Sequence, residues 1–140
     1  AGVLGVASAM AKSGAGDLIG NTILSVLGEH PSSLAVMFLF TTVTVVMTTV
    51  MSNSATSNVL YTVAATVCLA GNWDPRGIML IIAIGNVISL GFPSGAAETA
   101  LIYAAGNYKV SQVAKFTIPY ILIAIVTIAL SANYFYPIYG

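Results

Sequence analysis

The 140 residues carry four basic and four acidic side chains, 58% of them are hydrophobic, and the mean hydropathy is +0.96. Soluble domains hold about 25% charged residues, so eight charges cannot cover the surface of a compact soluble domain. Composition therefore points to an all-α integral membrane protein. The zero net charge leaves no basic patch for nucleic acid.

The chain begins at Ala1 inside an apolar stretch, without Met or the charged start of a signal peptide. It reads as one part of a longer polypeptide. Residues 1–30 are predicted to be the end of a transmembrane helix and an interfacial connecting helix. Leu18, Ile19, Ile23, Leu24 and Leu27 lie on one side of the latter. Glu29 and His30 sit in a polar turn, and Pro31 can begin the next helix.

Residues 31–71 hold two apolar runs, 34–51 and 57–70, on either side of "SNSATSN". Thr41, Thr44, Thr48 and Ser52 are spaced by three or four, which puts them on one helical face, with Thr42 and Thr49 beside it. Such hydroxyls can bond back to their own helix or join it to a neighbour. A stripe leading into a polar cluster instead describes a track that ends in a tip at 52–58. If both runs cross the membrane, the tip is an exposed loop. If they form a re-entrant hairpin, it lies near the midplane. The tip has no Gly, Pro or charge, and small hydroxyls and amides suit an unwound turn facing a cavity, which favours re-entry.

"GNWDPRG" at 71–77 is a polar loop whose Trp73 suits a membrane surface and whose Asp74 and Arg76 flank or cap it. Residues 72–107 are predicted to form a transmembrane helix broken at 92–99. There Pro93 removes a backbone donor, and Gly91 and Gly95 loosen the flanks. A helix broken inside the membrane exposes carbonyls that suit a cation and amides that suit an anion. Glu98 lies just past the break. It could bind a cation, carry a proton, pair with a cation elsewhere, or stabilise the second half-helix at its N-terminus. Residues 108–140 comprise a loop and the final spanning helix, closed by Tyr134, Phe135, Tyr136 and Tyr139 as an aromatic belt. Lys109 and Lys115 lie across the membrane from the 28–33 and 71–77 turns, and the positive-inside rule then puts the C-terminus outside. Cys68, in an apolar run, reads as a core residue. The sequence shows no nucleophile–base pair, metal-ligand cluster or phosphate loop, and enzymatic chemistry has no support.

Three blocks, "ASAMAKSGAGDLIG", "TTVMSNSATSNVL" and "IAIGNVISLGFPSGAAETALIYAAGNYKVSQVAKFTIPYIL", together resemble the C-terminal half of the divalent anion:sodium symporter family within the ion transporter superfamily. The resemblance implies part of one inverted repeat of a secondary transporter that moves a dicarboxylate, citrate or sulfate with Na+ by alternating access. It places substrate contact at Ser52, Asn53, Ser54 and Ala97. It places Na+ contact at Thr48, Asn53 and the backbone around Gly95 and Ala97. Ser54 stands where the signature has Thr. Ala96-Ala97-Glu98-Thr99 replaces the family's frequent Thr-Pro-Pro-Asn, so Glu98 is an added carboxylate that would repel a dianion unless protonated or paired. Glu98 also opens H+ as the alternative coupling ion. The resemblance further implies a small anionic substrate, surrounding membrane lipid (the cytoplasmic membrane in a bacterium), a missing N-terminal half or partner chain, and a homodimer of the full protein. The rival readings are an exchanger or channel of the same superfamily, and a structural subunit whose polar cluster only packs helices.

Overall fold

The computed structural model describes residues 14, 22, 25, 28, 31–88 and 92–139. The expected helices within 1–30, the Glu29–His30 turn and Gly91 lie outside the described residues, apart from those four isolated positions. Five helices and no strand occur among the described residues: α1 (Ser33–Val50), α2 (Asn53–Gly71), α3 (Pro75–Gly85), α4 (Ala97–Gly106) and α5 (Val110–Phe135). α1 and α5 are long and apolar enough to cross a membrane.

α1 and α2 form a helical hairpin whose turn is only Met51 and Ser52. The polar stretch expected as a tip at 52–58 is therefore mostly helical. Ser52 caps α2 by accepting from the Ala55 amide at 3.3 Å, and the next hydroxyls ride on the first turns of α2. α2 ends at Asn72, which adopts the left-handed conformation (φ 52°), and Trp73 N–H closes back on the Cys68 carbonyl at 2.9 Å. Trp73 is buried rather than facing the membrane surface, because its indole folds over the bare Cα of Gly71.

Asp74 starts α3 by accepting from the Arg76 amide at 2.9 Å, and Pro75 fills the first helical position, where no donor is needed. α3 runs alongside α1 in the same direction: Gly77 lies against Met37, and Gly85 lies against Thr44. Between apolar helices in lipid there is no hydrophobic drive, so close approach through small residues supplies the contact. Val36, Met37 and Phe40 of α1, Leu60, Ala64 and Val67 of α2, Ile78, Ile81 and Ile82 of α3, and Ala129 and Ala132 of α5 form one core cluster. α5 descends against α1 and α3. Its far end is stitched to the start of the hairpin. Asp74 N–H donates to the Ile138 carbonyl at 3.0 Å, Ile138 N–H to Ser33 Oγ at 3.1 Å, and the Tyr139 hydroxyl to the Pro31 carbonyl at 3.1 Å. The hairpin base, the 72–74 loop and the 136–139 segment thus lie together at one end of the helices.

Chain closure fixes the rest. α5 is about 39 Å long, so its first residues lie far from this base. α3 and α4, at about 16 and 15 Å, each cover about half of a 30 Å hydrocarbon core. α3 ends at Gly85 and α4 begins at Ala97, so the first helix stops earlier than the expected break at 92–99. The reason is local: Asn86 ends α3, and its polar groups bond to neighbouring helices instead of continuing the helix.

The base also carries a pH prediction. Hydrogen bonds from the Arg76 side chain and amide hold the Asp74 carboxyl below its ordinary value of 3.8. A depressed folded pKa gives stability that is present above the unfolded value and lost as pH falls through the folded one. Cleavage of the 71–77 loop by an acid-stable protease should rise only below about pH 4. Asp74→Asn should show loop cleavage that no longer steepens there.

Candidate functional site

Three helix ends meet at the hairpin turn, and the segment leading to a fourth helix is tied to it. α1 finishes at Val50 and α2 begins at Asn53. The end of α3 is joined to α1 by the Thr48 hydroxyl, 2.6 Å from the Asn86 carbonyl oxygen. It is joined to α2 by the Asn86 side-chain amide, which donates to Ser57 Oγ. The approach to α4 is joined to α1 by Ser94 Oγ, which donates to the Thr49 carbonyl at 2.5 Å. Ser94 sits in a turn that Gly95 N–H closes on the Phe92 carbonyl at 3.2 Å, with Pro93 at its second position. The arrangement brings two carbonyl ends, α1 and α3, beside the amide end of α2, with α4 starting three residues past the Ser94 bond. The carbonyl ends carry partial negative charge and the amide ends partial positive charge.

The threonine stripe divides at this point. Thr41 and Thr44 bond back to the Met37 and Phe40 carbonyls at 2.6 Å, which is an ordinary structural use of the hydroxyl. Thr48, fully buried, does not. Its Oγ1 lies 2.6 Å from the Asn86 carbonyl oxygen and 2.7 Å from Asn53 Oδ1. A hydroxyl has one proton and can satisfy only one of these acceptors. The other contact is met by turning the Asn53 amide or by a cation among the three oxygens. Thr56, one turn into α2, has a buried hydroxyl without a hydrogen-bond partner among the described residues.

The residues singled out from the sequence fall as follows. Thr48 and Asn53 touch. Ser52 and Ser54 are exposed at the turn, and Gly95 is buried beside Ser94. Ala97 and Glu98 are exposed in the first turn of α4, whose cap residue Ala96 offers no side-chain acceptor to the free amides. Asn86, Ser57 and Ser94 were not singled out. The signal for Asn86 was present, as a lone amide inside the apolar stretch 78–92. Ser57 and Ser94 reveal nothing until the helices are packed. Among the described residues no group of three His, Cys, Asp or Glu side chains could hold a metal.

No protein-family model matches the chain. It is 27% identical over 113 residues to a sodium-dependent high-affinity dicarboxylate transporter of Caenorhabditis elegans, matching 81% of this chain and 20% of that protein. It is 24% identical over 136 residues to the sodium-dependent dicarboxylate transporter SdcS of Staphylococcus saprophyticus, covering 97% of this chain and 26% of that one. An uncharacterized transporter of Synechocystis is 27% identical over 129 residues, with 92% of this chain and 21% of that protein aligned. The chain thus spans between a fifth and about a quarter of the length of these relatives. Each is named a transporter, none an enzyme. Together they make the chain a distant relative of the divalent anion:sodium symporter family of membrane transporters.

Proposed function

We propose that this chain is part of a secondary active transporter that moves a small anion, a di- or tricarboxylate or sulfate, coupled to Na+ by alternating access. The observation that carries the reading is the meeting of three helix ends and the approach to a fourth at the hairpin turn, with three oxygens gathered at Thr48. In this reading α1 and α2 form a re-entrant hairpin belonging to one of two inverted repeats. Na+ binds Thr48, Asn53 and the backbone near Gly95 and Ala97. The anion meets Ser52, Asn53, Ser54 and the amides at Ala97, where two helix N-termini favour negative charge.

The relatives' names support Na+ and a dicarboxylate. Their length is consistent with a larger working unit, with a facing half supplied by further polypeptide; in this reading the whole works as a homodimer. Lys109 and Lys115 are placed in the cytoplasm, with the C-terminal side outside.

Uptake of labelled succinate, citrate and sulfate into proteoliposomes holding the full-length protein tests this. Saturable, Na+-driven uptake of one of them is the expected result. Flux that does not saturate would mean a channel. Uptake that follows a pH gradient and fails in Glu98→Gln would make the coupling ion H+. No uptake under either gradient would remove the transport reading.

A further inference from the structure

Asn86 makes two links at once. Its backbone carbonyl lies 2.6 Å from the Thr48 hydroxyl of α1, and its side-chain amide donates to Ser57 of α2. We infer that Asn86 is a positioning residue that prepares Thr48 and Asn53 for the coupling ion. The inference rests on the function proposed above and adds a residue to it.

The argument follows the Thr48 proton. When Thr48 donates to the Asn86 carbonyl, the lone pairs of Thr48 Oγ1 and Asn53 Oδ1 face each other at 2.7 Å with no hydrogen between them. That pair suits a cation, and without one the Asn53 amide turns to donate an N–H to Thr48 Oγ1. When the Asn86 carbonyl moves away, Thr48 gives its proton to Asn53 Oδ1 instead, and the two oxygens satisfy each other. The position of the Asn86 carbonyl therefore decides whether the oxygens are spent on one another or left for the ion. The bond to Ser57 holds that carbonyl in place. It adds restraint where α3 ends: Asn86 N–H makes the last helical bond, to Ile82, and residues 87 and 88 are held by turn contacts of 3.4 and 3.2 Å.

The test measures the Na+ dependence of anion uptake by the full-length protein and by Asn86→Ala, Ser57→Ala and the double variant. Each single change is expected to raise the half-saturating Na+ concentration about three- to tenfold, the effect of one hydrogen bond. The maximal rate at saturating Na+ should stay close to that of the unmodified protein. The double variant should match the singles, because both remove the same bond. A purely structural role predicts a lower rate and yield with unchanged half-saturation, and that result overturns the inference alone. So does full additivity of the two changes. If Na+ has no effect on the unmodified protein, the inference falls together with the Na+ coupling proposed above, while uptake under a pH gradient would leave the transport reading standing.

Discussion

Thr48→Val is expected to weaken Na+ dependence severely while Thr48→Ser keeps most of it. Thr48 is fully buried, and its hydroxyl is shared between Asn53 and the end of α3. Valine has nearly the same shape, so the hairpin keeps its packing. What disappears is one oxygen of the three and the proton donor to the Asn86 carbonyl. Stranding a buried acceptor costs about 1–3 kcal/mol, and a tenfold change in affinity corresponds to about 1.4 kcal/mol. The expected loss in Na+ affinity is therefore about 5- to 150-fold. Thr41→Val provides an internal standard. Its hydroxyl only doubles a helical bond to the Met37 carbonyl, so Na+-dependent uptake should scarcely change. If Thr48→Val and Thr41→Val give the same Na+ curve, the cluster at Thr48 has no part in coupling.

Gly77→Val should leave no assembled protein at all. A Cβ at this position would run into the backbone carbonyl of Tyr136 and lie 2.6 Å from Met37 Cε. Methionine can swing aside. The carbonyl cannot, because the following residue pair carries the bonds from Ile138 and Tyr139 to Ser33, Asp74 and Pro31. Gly85→Ala is the milder counterpart, since its Cβ would meet Thr44 Cγ2 at 3.1 Å, a contact that a few tenths of an ångström would relieve. Overpacking of that kind costs about 1–3 kcal/mol, partly offset by about 1 kcal/mol of better helix propensity. Size-exclusion profiles and melting in detergent should show Gly77→Val as aggregate and Gly85→Ala as a folded protein with a small shift. A monodisperse Gly77→Val protein melting like the parent would show that α3 does not press on the 136–138 segment.

The helical class, the hairpin and the interruption between α3 and α4 were legible from runs of apolar residues and the polar or Pro/Gly stretches between them. Thr48 and Asn53 were legible from spacing and from the resemblance, and packing brings them together. The start of the interruption was not. Pro93 drew attention as the strongest helix breaker, yet α3 stops several residues earlier, because Asn86 finds better partners on α1 and α2. Spacing alone did not separate the members of the threonine stripe; the resemblance picked out Thr48. Thr41, Thr44 and Thr48 are alike in spacing and burial, and in the structure the end of α3 beside Thr48 distinguishes it. Trp73 shows the same limit: its residue type suits a membrane surface, but the neighbouring Gly71 leaves a space that the indole fills.

The stitching at the hairpin base also sets a clock. Ser33 and its partner Ile138 are 105 residues apart. A ribosome adds about 5–20 residues per second, so roughly 5–20 seconds separate the making of one from the making of the other. During that interval α1, α2 and α3 are made and left waiting, because the seam that closes their footing has no thread. The hairpin must be accommodated by its surroundings as an unfinished unit, and its final docking is an event of late biogenesis, after α5 is in place.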